Sequence, residues 1–276
     1  MSKLKKALEK AKEAREQLQT GATAPTEEAV SPARPAAPAE KTATGRTHQR
    51  VNPAYATTRV VACDPALMRR HKVIFDCQAT TAGDQVKILR TRLLQRLIEM
   101  GGNSLLLTSP SAGTGTTLTA INLAFSVAQE IERTVLLVDA DLRKPSIHTY
   151  FGVKSDKGLA DYLLGKVNIP ELLFNPGFDK ITVLPGGKPL ANSTELLGAP
   201  RMETLVNEVK SRYADRFIIF DSSPLLTTAD PLVFANHIDG ILLVVEAEKT
   251  MKKEVKQAME LLAGKPVLGT VLNKVR

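Results

Sequence analysis

Apolar residues along this chain fall into short unbroken runs separated by longer stretches of mixed polarity. The runs are Ser104–Thr108 (Ser-Leu-Leu-Leu-Thr), 134–138, Ile181–Leu184, 217–220, 240–245 and 267–272. Each has strand length and too few polar positions to present one face to water. Between most of them the apolar spacing changes to three and four. Val86, Leu89, Leu93, Leu94 and Leu97 mark a helix over 84–100, basic on its outer face through Lys87, Arg90, Arg92 and Arg96. Further helices are expected over 200–213 and 251–263, and one carrying Leu118, Ile121, Leu123 and Phe125 follows the first run. Continuous apolar strands alternating with helices predict an α/β fold. Its sheet is doubly wound, mostly parallel and covered by helices on both faces.

Patterning changes near the amino terminus. Within 1–20, Leu4, Leu8, Ala11 and Leu18 recur at helical intervals among charged residues, which predicts a short amphipathic helix with a narrow apolar stripe. Residues 21–58 are rich in Pro, Ala, Thr and Glu and lack periodicity, so they are expected to form a disordered linker. The folded domain is then 59–276. No apolar run approaches the ~18 residues of a membrane span. Met-Ser-Lys-Leu-Lys-Lys does not lead into a signal-peptide core. The expectation is a cytoplasmic protein without a transmembrane segment. Cys63 and Cys77, with no ligand-like spacing, read as two reduced thiols.

Composition adds one constraint. With 43% hydrophobic and 24% charged residues, the chain reads as globular. Its net charge of +8 is uneven. Residues 1–60 hold 11 basic against 6 acidic residues, 61–103 hold 7 against 4, and the remainder has 19 of each. A neutral core argues against a nucleic-acid-binding face and leaves the basic excess to the N-terminal region.

The chemistry is concentrated after the first strand. Ser109-Pro-Ser-Ala-Gly113-Thr114-Gly115-Thr116-Thr117 is a glycine-rich turn between a strand and a helix, where unpaired backbone N–H groups converge on an anion. A P-loop places Lys and then Ser or Thr after its second glycine; here Thr116 stands in the lysine position and Thr117 follows. Two other predicted strands end in aspartate. One runs into Asp139-Ala-Asp141-Leu-Arg143-Lys144-Pro145, the other into Asp221-Ser222-Ser223-Pro224. Carboxylates at the mouth of buried strands beside a phosphate loop suggest Mg²⁺, with Thr117 adding a hydroxyl. Capping of the following helices is the alternative role for these aspartates.

In this order the motifs resemble the bacterial tyrosine kinases of capsule and exopolysaccharide assembly, P-loop proteins related to the MinD/ParA ATPases. The resemblance spans about residues 60–276. It rests most on 134–152, where the two aspartates precede Arg-Lys-Pro. Gly158-Leu-Ala-Asp-Tyr-Leu-Leu-Gly165, Leu184-Pro-Gly-Gly187, 195–201, 239–245 and 269–274 add to it. It implies that Gly113, Thr114, Gly115, Thr116 and Thr117 hold ATP phosphates. It also implies that Thr117, Asp139 and Asp221 hold Mg²⁺, that Asp141 lies by the attacking hydroxyl, and that Asn273 meets the adenine. A family Glu-x-x-Arg-x-x-Arg motif that assembles a ring of subunits corresponds here to Asp84, Lys87 and Arg90. The charges are kept, but the reach of the first and the fork of the second are lost. The implied partner is a separate transmembrane chain-length (co-polymerase) protein, which would hold this chain peripherally at the inner membrane.

Three departures bear on activity. Thr116 replaces the phosphate-bridging lysine. Ser111 stands where the partitioning ATPases carry a further lysine. The tyrosine-rich tail is missing, Tyr213 being the last tyrosine. A milder one is Ser222-Ser223, where the family has a residue followed by proline. The leading expectation is therefore a kinase-like regulatory subunit, a pseudokinase with weak nucleotide binding or none. Two alternatives stay open: an active ATPase or tyrosine autokinase drawing a substitute cation from Arg143 or Lys144, and a positioning ATPase.

Overall fold

The structure, a computed structural model, describes residues 58–75, 80–213 and 215–275. The helix expected over 1–20 lies outside them, as does the linker expected over 21–58 apart from Thr58. Eight strands form one sheet: β1 (Arg59–Val60), β2 (Ser104–Thr108), β3 (Thr134–Asp139), β4 (Phe174–Asn175), β5 (Ile181–Leu184), β6 (Arg216–Asp221), β7 (Gly240–Glu246) and β8 (Val267–Asn273). Their spatial order is β1-β4-β5-β3-β6-β2-β7-β8, and every pairing is parallel except β4 with β5. The doubly wound sheet is as expected, and the six apolar runs are its six longer strands. The two-residue strands β1 and β4 carry no run long enough to read.

Successive strand residues face opposite cores, as the pleat requires. Leu105, Leu107, Val135, Leu137, Phe217 and Ile219 pack beneath helices Thr81–Glu99 and Thr116–Ala128. Leu106, Leu136, Val138, Ile218 and Phe220 pack on the other face against Met202, Leu205 and Val206 of helix Pro200–Ser211 and against Phe234. Each such side chain contributes about 1.5–3 kcal/mol on burial, so the central strands are held from both sides. Helix Thr81–Glu99 starts three residues before the expected 84 because the Thr80 hydroxyl accepts from Gly83 N–H at 3.0 Å, a cap that apolar spacing does not reveal. Burial pushes the Cys63 thiol up to about 11, which leaves it unreactive.

Two contacts set where the loops at the carboxyl ends of the strands lie. Phe125, on helix Thr116–Ala128, packs edge-on to Phe178 with centroids 5.0 Å apart and lies 6.2 Å from Phe151, which anchors the segment after β3. Gly158 passes so near Pro185 and Gly187 that an added Cβ would lie 2.2 Å from backbone. Leu159 and Ala160 N–H donate to the Pro185 and Gly186 carbonyls there, at 2.8 and 3.0 Å.

At the opposite end of the sheet, the Asp239 carboxylate ties the turn before β7 to the entry of β2. It accepts N–H groups of Asn103 and Ser104 at 3.0 Å, the Ser104 hydroxyl at 2.7 Å, and the Lys210 ammonium. Burial alone would raise this carboxyl, but Lys210, Ser104 and Asn103 outweigh it and hold it below the ordinary value. Asp239→Ala is expected to cost about 2–3 kcal/mol, because two N–H groups and a hydroxyl lose their acceptor. In a melting experiment that is a fall of roughly 5–10 °C. Because the folded value is depressed, the contribution is present above the unfolded value and disappears as pH falls through the folded one. The variant and wild type should therefore converge in acid. Equal melting temperatures at pH 7 would show that the tie is unimportant.

Candidate functional site

β2 is central, with β6 on one side and β7 on the other, and the chain crosses it between β6 and β7. Such a reversal opens a crevice beyond the carboxyl ends of the strands. The loop leaving β2 lies there. Gly113 and Gly115 have φ of +82° and +89°, and Gly115 is the N-cap residue of helix Thr116–Ala128. Glycine at 115 is required twice over. Its φ is left-handed, and an added Cβ would lie 2.4 Å from Asn273 Nδ2. The first N–H groups of the helix have no intrahelical partner, which makes this terminus an anion site. At the lysine position the Thr116 side chain is buried and its hydroxyl lies 3.0 Å from that of Thr114.

Register brings the strand-end aspartates together: Asp139 on β3 is paired with Asp221 on β6. Both are fully buried. Asp139 Oδ2 accepts N–H groups of Ser146 at 2.8 Å and Ile147 at 2.9 Å, while its Oδ1 has no hydrogen-bond partner. Neither oxygen of Asp221 makes a well-formed hydrogen bond, although the Thr117 hydroxyl is near enough to favour its charged form. Burial is the main reason that Asp139 rises to about 7, with the Asp141 charge adding to it against the two backbone donors. Burial and then the neighbouring Asp139 charge lift Asp221 well above the ordinary range. Three buried carboxylate oxygens without donors, next to a threonine hydroxyl, are a hard-oxygen set that fits Mg²⁺. Among the described residues no cluster offers three or more His, Cys, Asp or Glu ligands. Two carboxylates completed by water and phosphate oxygens match the way Mg²⁺ binds.

Asp141 is half-buried and closes a turn, its Oδ1 accepting N–H groups of Arg143 at 3.2 Å and Lys144 at 3.0 Å. Burial raises its carboxyl despite these donors. The Arg143 guanidinium is engaged by an acid. It pairs with fully buried Asp230 at 3.2 Å and donates to the Thr194 hydroxyl, while Ser193 Oγ donates to the same carboxylate at 2.7 Å. Arg143 thus makes a structural contact, the alternative to its acting as a substitute cation. Asp230 carried no signal in the sequence, because its partners lie 37 and 87 positions away.

From the far edge, β8 delivers Asn273, whose Nδ2 donates to the Thr114 carbonyl at 2.8 Å. The next residue was missed from the sequence. Lys274 Nζ donates to the Gly113 carbonyl at 2.6 Å and pairs with Glu246 at 3.1 Å. An Asn-Lys pair at the end of the last strand was the available signal. On helix Thr81–Glu99, Asp84 and Lys87 form an exposed pair at 3.1 Å. Arg90 turns inward to the Ser126 carbonyl and Glu130, each at 2.8 Å.

Comparison with known proteins bears on the family and the fold. The sequence profile of the AAA domain (AAA_31) matches residues 107–263. A putative tyrosine-protein kinase CapB of Staphylococcus aureus is 32% identical over 204 residues, 73% of this chain and 88% of that protein. The solved kinase domain of the Escherichia coli tyrosine kinase ETK superposes with a TM-score of 0.70 at 30% identity, covering 79% of this chain and 89% of the domain. The septum site-determining protein MinD of Pyrococcus horikoshii, solved with Mg-ADP, shares the fold at 23% identity and a TM-score of 0.51, over 62% of this chain and 69% of that one.

Two outcomes are expected. Gly115→Ala should destabilise the chain by about 1–3 kcal/mol through its left-handed φ and the collision with Asn273, a melting decrease of at least ~3 °C. Asp221→Asn should stabilise the metal-free chain at pH 8 by about 1–3 kcal/mol, because it removes one of two like charges from a buried pair. Raised folded values of both carboxyls make the wild type lose stability as pH climbs over the interval from the ordinary carboxylate range to pH 8. The advantage of the variant should therefore grow over that interval and vanish near pH 4. Mg²⁺ should raise the melting temperature of the wild type and leave that of Asp221→Asn unchanged. Destabilisation by Asp221→Asn would contradict the electrostatic account.

Proposed function

The chain belongs to the bacterial tyrosine-protein kinase family built on an AAA-type P-loop domain, and from that premise we propose that it binds Mg²⁺-nucleotide but turns it over slowly, acting as a regulatory, kinase-like subunit in capsule or exopolysaccharide assembly. One observation carries the reading. Oxygens of Asp139 and Asp221 without hydrogen-bond partners support a cation site, while position 116 holds a buried threonine bonded to Thr114.

In this reading the N–H groups of residues 113–117 cradle the phosphates of ATP, and Asn273 flanks the base. Thr117, Asp139 and Asp221 would hold Mg²⁺, which would neutralise charge on the phosphate oxygens. Asp141, with its carboxyl raised by burial, accepts the proton of an attacking hydroxyl. The missing element is the ammonium group between the β- and γ-phosphates. Phosphoryl transfer depends on such preorganised positive charge, and loss of one donor lowers rates on the order of 10²–10³. Binding suffers less, because backbone donors and the metal supply most of the contacts.

We assign the same protein a cytoplasmic position beside the inner membrane, through a separate transmembrane chain-length partner. Among the described residues no helix is long and apolar enough to cross a membrane. A homo-oligomeric ring, if formed through helix Thr81–Glu99, would use the exposed Asp84 and Lys87, since Arg90 is engaged within its own chain.

Calorimetry and phosphate release on the wild type beside Thr116→Lys test the proposal. Weak, Mg²⁺-dependent ATP binding with near-background hydrolysis is expected for the wild type. Lysine at 116 should tighten binding and raise turnover on the order of 10²–10³. A wild type that already hydrolyses ATP as fast as the lysine variant would overturn it.

A further inference from the structure

Two consecutive side chains at the end of β8 grip two consecutive carbonyls of the phosphate loop: Lys274 bonds Gly113 O, and Asn273 bonds Thr114 O. In a trans peptide the carbonyl of one residue and the N–H of the next lie in one plane and point opposite ways. Holding the Gly113 carbonyl outward therefore aims the Thr114 N–H inward, and holding the Thr114 carbonyl outward aims that of Gly115. Each contact orients one phosphate donor from outside the loop.

The backbone at Lys274 is built for this. Its φ is +57°, a left-handed conformation that a non-glycine residue keeps only when surrounding contacts impose it. The turn sends the side chain back across the loop instead of onward along the sheet edge. Its Cε would lie 3.8 Å from a Cβ at Gly115. Glu246, paired in register with Asn273, fixes the ammonium at 3.1 Å, and the Ala247 N–H donates to the Asn273 carbonyl at 2.9 Å. Nothing in this arrangement is needed to complete β8, whose register with β7 already ends at Asn273.

We propose that Lys274 is a positioning residue of the phosphate loop, orienting the Thr114 N–H toward a nucleoside di- or triphosphate and bringing from the end of β8 a positive charge to a loop that lacks one at position 116. The inference rests on the nucleotide reading of the site. It gives the chain a route to affinity that does not pass through the lysine position. The ammonium stays outside the loop, so it supports binding and does not replace the charge between the β- and γ-phosphates.

The test is calorimetric titration of Mg-ADP and Mg-ATP into the full chain, as wild type, Lys274→Met and Lys274→Arg. Methionine keeps the stem and removes both charge and donor. Its affinity should drop on the order of tenfold, the worth of one charge-assisted hydrogen bond. Its nucleotide-free melting temperature should stay within about 2 °C of wild type, as for a half-exposed surface change. Arginine should recover most of the affinity. Amide exchange at Thr114 should quicken in the methionine variant while β8 stays protected. Affinity of Lys274→Met within twofold of wild type, with wild type binding well, would overturn this inference alone. So would loss of protection along all of β8, which would make the lysine a folding element. A wild type that binds neither nucleotide would overturn the nucleotide reading and this inference with it.

Discussion

Parallel pairing of β3 with β6 places two carboxylates side by side where two buried strands end, and the surrounding structure answers that charge. Asp139 takes two backbone donors from the turn at 146–147, which is why the segment after β3 folds back toward the strand. Asp221 has no such donor, so burial and repulsion hold its carboxyl well above the ordinary range. The three oxygens of this pair that lack donors are the observation on which the proposed cation site rests.

The loop above that pair is held from the opposite side. Helix Thr116–Ala128 is anchored by Phe125 among Phe178 and Phe151, while β8 grips the loop carbonyls through Asn273 and Lys274. Anchored helix and gripped carbonyls together present the free N–H groups to one point. Thr116 fits this scaffold because its hydroxyl is matched by Thr114. That separates the roles of the site. In the proposed reading, geometry for phosphate and metal would come from backbone and carboxylates, while mobile charge for transfer would depend on a single side chain.

Two arginine charges are tied down inside the chain. Arg143 is committed to Asp230, and Arg90 to Glu130 and the Ser126 carbonyl. An arginine beside the aspartates in sequence is therefore not by itself a free cation, whereas the Lys144 charge lies near enough to Asp141 to favour its ionised form. The Arg-Lys that follows the aspartates looked available as a substitute, and folding gave its arginine a buried acid partner 87 positions away.

The sheet was readable in one dimension because strands buried on both faces must be continuously apolar, and that signal survives without knowledge of neighbours. The aspartates were readable too, since a carboxylate following such a run has few inexpensive explanations. The two-residue strands β1 and β4 left no trace, as pairing rather than hydrophobicity defines them. Nor did the Thr80 cap, which depends on a single hydrogen bond. By itself the sequence determined the fold class, the loop, the absent lysine and the acidic strand ends, all properties of local residue order. Tertiary structure alone decided that Asp139 lies opposite Asp221, that Arg143 pairs with Asp230, and that Lys274 returns to the loop from 161 positions away. Those follow from strand register and from a left-handed turn at a sheet edge, which exist only once distant segments have paired.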